Sequence, residues 1–238
     1  MSKYSSQNEN PERCISQDQN RHYRKAESIR EQLHEHTQSL TSCRDLSAIM
    51  TKLGNICKST DRFDEAEIYY GRALEFDRGL ALETKTVQAW DDYGVSLVKI
   101  GDVRKAEGKF KEAGILYEKA LSTFRKNAEK SDSILIQEHI AGGCEKLAGI
   151  KEKTGHPEDA KTLYTEAIRI RKLQCDAINT ESSFDALART YYTAAYSIKD
   201  TEHMTKAYDI WCELSEKKSK FEKYRDKAEQ IIQKWKEA

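Results

Sequence analysis

The side chains able to do chemistry are few, and their spacing argues against using them for catalysis. In His34-Glu35-His36 the two imidazoles stand at i and i+2, which on a helix diverge by about 200°. No His-Glu-x-x-His pattern follows, so a solvated helix end is expected there and not a metal site. His22, His139, His156 and His203 are scattered through the chain. The six cysteines, Cys14, Cys43, Cys57, Cys144, Cys175 and Cys212, lie far apart with no Cys-x-x-Cys pair. Reduced thiols in a cytoplasmic protein are expected, with Cys57, Cys144 and Cys212 as small core residues. Gly142-Gly143 sits inside a helical pattern with no strand before it, so it is not a dinucleotide fingerprint. Catalysis needs a nucleophile, a base and an orienting group that converge. Nothing in the spacing brings such a set together, so the reading is not an enzyme, with no metal and no cofactor.

Composition narrows the partners. Lys plus Arg and Asp plus Glu each number 40, so no global field favours nucleic acid or an anionic membrane. The basic run Lys217, Lys218, Lys220, Lys223, Arg225 and Lys227 is interleaved with Glu222, Asp226 and Glu229. It reads as one solvated helix, ahead of a nucleic-acid or lipid patch. Apolar runs fall far short of the roughly 20 residues that cross a bilayer, and the polar opening Met1-Ser2-Lys3-Tyr4-Ser5-Ser6 is unlike a secretory signal. Charged residues at 34% and hydrophobic ones at 38%, with two prolines, suit long helices that bury a narrow stripe.

That stripe repeats. Ala66, Tyr70 and Ala73 stand at i, i+4 and i+7 on one helix face. They recur as Ala113, Tyr117 and Ala120, then Ala160, Tyr164 and Ala167, then Ala207, Trp211 and Leu214, each 47 residues on. A fixed period marks a repeat array. The same step aligns a preceding helix, Asp45–Gly54 with Asp92–Gly101, His139–Ala148 and Ala186–Ala195. Its closest-packing position reads Gly54, Gly101, Ala148 and Ala195. Glycine inside a helix costs about 1 kcal/mol against alanine, so close approach of two backbones is expected at Gly54 and Gly101.

Punctuation repeats too. Ser39, Thr86, Ser133 and Thr180 share an N-cap register, and Asp61, Gly108, Gly155 and Glu202 share the turn between paired helices. Helices are predicted near 40–59, 63–83, 87–106, 110–130, 134–153, 157–176, 181–199 and 203–217, with Pro157 in a first turn. A further helix near 219–237 carries Phe221, Tyr224, Ala228, Ile231, Ile232 and Trp235 over the last repeat. Residues 1–17 are expected to be a disordered tail. Residues 18–238 are expected to be a single domain: half-repeat 18–38, repeats 39–85, 86–132, 133–179 and 180–217, and the capping helix. In the half-repeat, whose helix starts about Asp18, Tyr23 and Ala26 hold the repeat register and Ile29 and Leu33 are expected to extend the apolar face.

These residues resemble the tetratricopeptide repeat family, whose signature is a bulky residue, Leu-Gly and a bulky residue in one helix, then Ala, aromatic, Ala in the next. Met50, Leu53-Gly54 and Cys57 fit the first part, Leu97 with Ile100-Gly101 follows, and the pattern decays to Cys144 with Leu147-Ala148 and Tyr191 with Ala194-Ala195. The family period is about 34 residues. The thirteen extra residues here amount to nearly four helical turns, as in the long-helix subtype found in bacterial multi-repeat proteins. The resemblance implies an all-α, right-handed superhelical solenoid of antiparallel helix pairs that holds a peptide or partner protein in its concave groove.

The first helices would line that groove. One position round from the buried stripe lie Ala48, Thr51, Asn55 and Lys58; then Val95, Val98, Asp102 and Lys105; then Gly142, Glu145, Gly149 and Glu152; then Arg189, Tyr192, Tyr196 and Lys199. Arg189, Tyr192, Tyr196 and Asn55 are the expected partner contacts, because Tyr and Arg are enriched in interface hot spots. The alternative for the two tyrosines is packing between adjacent helices. The carboxylate clamp that some family members use is not matched: Asn55 fits, but Thr51 and Gly142 replace lysines and Lys99 stands where an asparagine is needed. The function expected is a scaffold that binds protein or peptide. Rival readings are a peptide-sensing regulator acting on an output protein in trans, and an enzyme or nucleic-acid binder.

Overall fold

In the computed structural model, which describes residues 11–237, ten α-helices follow one another: α1 Pro11–Thr37, α2 Leu40–Ser59, α3 Phe63–Thr84, α4 Val87–Ala106, α5 Phe110–Ala128, α6 Ile134–Lys153, α7 Pro157–Ile178, α8 Glu181–Ile198, α9 Thr201–Lys217 and α10 Glu222–Lys236. A short 3-10 turn, Ser219–Phe221, leads into α10. No strand occurs among the described residues. Sequence boundaries and structural ones agree closely because the stops are local. Ser39, Thr86 and Thr180 accept backbone N–H groups from Ser42, Ala89 and Ser183 at 3.1, 3.3 and 3.3 Å, satisfying donors that a helix start leaves orphaned. Ser133 occupies the same register, but its side chain makes no capping bond. The turns between paired helices use positive φ at Asp61 (57°), Gly108 (77°) and Gly155 (82°), the conformation that glycine adopts without penalty.

Four expectations are corrected. The first helix already runs at Pro11, where the described residues begin, and so does not start near Asp18. Of the expected tail, residues 1–10 lie outside the described residues. The fourth paired turn is made by Lys199, at φ 53°, and Asp200, not Glu202. Asp200 accepts from the His203 N–H at 3.0 Å and so starts α9 at Thr201. Ile29 and Leu33 stay 65% and 45% exposed, because the inward face of α1 runs one position away. There Arg30 pairs with Asp45, and His34 sits edge-on to Phe76 at 5.7 Å and bonds Ser42 Oγ at 2.8 Å. His34 is therefore docked against its neighbours, and only Glu35 and His36 form the solvated helix end.

The chain divides into two compact units between Glu107 and Gly108. The first contains α1 to α4. Consecutive helices pack side by side, α1 on α2, α2 on α3 and α3 on α4, and short turns make them antiparallel. Leu46, Met50 and Ala73 form a buried cluster with Tyr69 and Phe76 against it. Gly54 explains itself here, though not as expected. A Cβ at that position would stand 2.5 Å from Tyr70 Cε1 and 2.7 Å from its Cδ1, so the missing side chain seats an aromatic ring and not a second backbone.

The second unit contains α5 to α10, again with each helix against the next. Its core joins Tyr164, Leu187, Tyr191, Met204, Trp211 and Leu214 to Phe221, Ala228 and Ile232 of the C-terminal segment. The capping helix thus closes the last repeat with the residues expected of it. Across the chain the four beat residues, Tyr70, Tyr117, Tyr164 and Trp211, are no more than 2% exposed. Equivalent sequence positions therefore hold equivalent buried places.

Candidate functional site

In the first unit, α2 and α4 present Ala48, Thr51, Asn55 and Val95 to one open cleft of about 540 Å³. These four come from the predicted groove stripe. Asn55 is exposed, and its Oδ1 accepts from the Tyr70 hydroxyl at 2.8 Å and from Lys99 Nζ at 3.2 Å. Lys58 and Asp102 pair with each other at 3.5 Å and do not line the cleft; Lys105 is exposed near the end of α4. The floor holds a group that the sequence reading did not single out. Asp77 of α3 is 5% exposed, and its two oxygens each accept a serine hydroxyl, from Ser47 and from Ser96, at 2.5 Å. Burial raises its pKa, and the two hydroxyls act the other way. The signal available was a polar residue four positions after Ala73, on the buried face of an amphipathic helix.

In the second unit, Tyr192 and Tyr196 of α8 line an open cleft of about 700 Å³ with Tyr164, Glu152, Lys199 and the α10 residues Lys227, Lys234 and Trp235. Tyr196 is 63% exposed. Tyr192 is half-buried, 5.7 Å from the Trp211 ring and stacked on Tyr196 at 6.4 Å. Arg189 donates to Asp185 at 2.8 Å and lies 4.5 Å over the Tyr224 ring. Its guanidinium, with Lys223, holds the Tyr224 phenol below its ordinary pKa. Glu145 accepts from Thr190 at 2.7 Å and faces Arg171 Nε at 3.5 Å. Of the stripe expected in this unit, the structure therefore brings Glu152, Tyr192, Tyr196 and Lys199 to one cleft, while Glu145 bonds Thr190 of α8 and Arg189 bonds Asp185 of its own helix and covers the Tyr224 ring of α10. Lys227 of α10 belongs to the basic run expected to be a solvated face, whereas Lys234 lies beyond that run. Lys227, Ile231 and Lys234 share one side of that helix, but which side meets α8 depends on docking.

Among the described cysteines Cys57, Cys144 and Cys175 are buried, while Cys43 and Cys212 are half-buried, so Cys212 is not the core residue expected. Cys144 is fully buried and burial pushes its thiol up to about 12, far from the thiolate that reacts. Cys57 is buried as well. Among the described residues no group of three His, Cys, Asp or Glu side chains converges on a metal position, and no helix is long and apolar enough to cross a membrane.

Residues 47–79 match the family model of the tetratricopeptide repeat. That segment contains most of α2, the Gly54 seat and α3 with Ala66, Tyr70 and Ala73. No curated protein sequence matches the chain. Solved structures do resemble it in fold. BtubC (BKLC) from P. vanneervenii superposes with a TM-score of 0.63 at 19% identity, covering 93% of this chain and 90% of that one. TPR-like repeats of a kinesin light chain-like protein from Podosopora anserina superpose with TM-scores of 0.54 and 0.51 at 16% identity, covering 85% and 86% of this chain and 93% of each of those. Residues 47–79 thus match one tetratricopeptide repeat, and the chain as a whole shares the fold of these TPR-like structures. Tetratricopeptide repeats serve generally as protein-interaction scaffolds. The 47-residue beat adds turns to both helices of each tetratricopeptide hairpin, which lengthens the wall available on each first helix.

Proposed function

We propose that the chain binds a peptide, or an extended segment of a partner protein, on the faces of its first helices. The carrying observation is Tyr196, a large aromatic side chain left 63% exposed in an open 700 Å³ cleft with Tyr192 and Trp235 beside it. Aromatic surface of this kind is stabilised by burial against a partner, and tyrosine gives much contact area with little rotamer freedom to lose. Lys199, Lys227 and Lys234 line the same cleft against the single carboxylate of Glu152. The chemistry that fits is an apolar side chain flanked by acidic residues. Thr51 and Asn55 supply a second, polar contact face in the first unit. Lys58, Asp102, Lys105, Glu145 and Arg189 are secondary contacts, since ion pairs or helix packing already hold most of them.

The test uses the full chain and a phage-displayed dodecapeptide library. Selected peptides are expected to carry an aromatic or aliphatic anchor with acidic neighbours. Tyr196→Ala is expected to weaken them by about tenfold or more, with stability shifted by less than about 0.5 kcal/mol because the side chain is exposed. A library that yields no binder, or binders indifferent to Tyr196→Ala, would sink this reading.

A further inference from the structure

In the second unit α8 and α10 face each other in step. Arg189 lies 4.5 Å over the Tyr224 ring, and three residues on along both helices Lys227 stands 5.6 Å from the centre of the Tyr192 ring. Trp211 of α9 joins the two rings, 5.7 Å from Tyr192 and 5.5 Å from Tyr224. Lys223 adds a third cation, 4.8 Å from the centre of Tyr224. Arg189, Tyr192, Thr193, Trp211, Tyr224 and Lys227 line a cleft of about 340 Å³, which shares Tyr192, Thr193 and Lys227 with the Tyr196 cleft. None of these lining residues is acidic. The acids nearby are Asp185, which accepts from Arg189 and from the Trp211 indole N–H, Asp226, which accepts from Arg225, and the exposed Glu222. Asp185 offsets one of the three cations. Lys223 and Lys227 are exposed, and among the described residues their recorded partners are aromatic rings, not carboxylates. A ring face attracts a cation without neutralising it. The depressed Tyr224 phenol is a sign of the positive potential that remains.

We propose that this cleft is a seat for a phosphorylated serine or threonine of the bound peptide, held by Arg189, Lys223 and Lys227. A carboxylate brings one charge and two oxygens. A phosphomonoester brings about −1.5 to −2 at pH 7 and three strong acceptor oxygens, which matches two uncompensated ammonium groups beside a guanidinium. Arg189 commits its Nε to Asp185, and a guanidinium has five N–H donors in all. The rings hold the cations near their working places before the anion arrives, so less side-chain freedom is lost on binding. With ring faces already covered by cations, a short phosphorylated side chain fits better than a stacked aromatic one. This assignment rests on the peptide-binding reading and adds a modification to it. The phosphate would sit about two helical turns, roughly 10 Å, along α8 from the Tyr196 anchor.

The experiment titrates 15N-labelled full chain at pH 7 with Nα-acetyl-phosphoserine methylamide and Nα-acetyl-glutamate methylamide. The phosphoserine fragment is expected to shift the amides of Arg189, Tyr192, Tyr224 and Lys227 saturably, at least tenfold more tightly than the glutamate fragment. The preference should shrink at pH 5, where the phosphate has lost its second charge. Lys223→Gln combined with Lys227→Gln, at exposed positions that leave the fold intact, should erase it. Equal response to both fragments, no response to either, or a preference that survives the double substitution overturns the seat and leaves the peptide-binding reading standing. A second arm places phosphoserine or glutamate at successive positions beside the anchor of a library peptide that depends on Tyr196. At one position phosphoserine should bind at least tenfold more tightly than glutamate. If it does so at none, the seat does not belong to the peptide and the proposal fails. A library with no Tyr196-dependent binder removes the reading beneath it, and the proposal falls with that reading.

Discussion

At Gly54 and Gly71 the same residue type answers two different demands, and the contrast is measurable. Both lie inside helices, so replacing either with alanine gains about 1 kcal/mol of helix propensity. At Gly71 nothing stands within 4 Å of a new Cβ, and Gly71→Ala is expected to raise stability by about 0.5–1 kcal/mol. At Gly54 the new methyl meets the fully buried Tyr70 ring at 2.5 Å. That ring cannot swing away without leaving its bond to Asn55, and overpacking costs about 1–3 kcal/mol. Gly54→Ala is therefore expected to be net destabilising. Urea unfolding of the two variants checks the pair; a stabilised Gly54→Ala would mean that the ring has room to move. The sequence marked Gly54 as special because a mid-helix glycine needs a reason. That the reason is a tyrosine ring depends on which residue of α3 faces it.

The helices repeat a similar logic, and α10 shows where that logic is strongest. Phe221, Ala228 and Ile232 are buried against the α8–α9 hairpin, and Trp211 is 2% exposed with its indole N–H donating to Asp185 at 2.9 Å. Removing everything after Lys218 would strip Trp211 of Tyr224, which stacks on it at 5.5 Å, and would remove one wall of the Tyr196 cleft. The truncated chain is expected to lose several kcal/mol of stability in the second unit and to lose peptide binding at that cleft. Thermal unfolding and the selected peptides read both losses. A truncation as stable and as competent as the full chain would show α10 to be a bystander. The periodicity of Phe221, Tyr224, Ala228, Ile231, Ile232 and Trp235 made this helix legible as a cap. It did not reveal that the intervening lysines line a cleft, because a polar residue on the margin of an apolar stripe can turn to solvent or to a neighbour with equal ease.

On the scale of the whole molecule, two compact units with cores of their own argue against all-or-none behaviour. Stability in repeat arrays is close to a sum of local terms and neighbour interfaces. Hydrogen exchange followed by mass spectrometry is expected to give distinct protection for α2–α3 and for α8–α9, with α1 weakest, since Ile29 and Leu33 remain exposed on it. One cooperative exchange event spanning residues 11–237 would refute that expectation. Equal numbers of cations and anions leave local clefts, not a global field, to choose the partner.

The amino-acid sequence alone determined the helices from α2 on, the caps at Ser39, Thr86 and Thr180, and the buried beat of Tyr70, Tyr117, Tyr164 and Trp211, because these depend on interactions a few residues long and on a fixed 47-residue period. Only the tertiary structure decided that Asp77 meets both Ser47 and Ser96, that Arg189 lies over Tyr224, and that Lys227 and Lys234 stand beside Tyr196. Each of these joins residues from 19 to 38 positions apart, and their meeting is set by how one helix rotates against the next, a choice made by core packing and written in no local pattern.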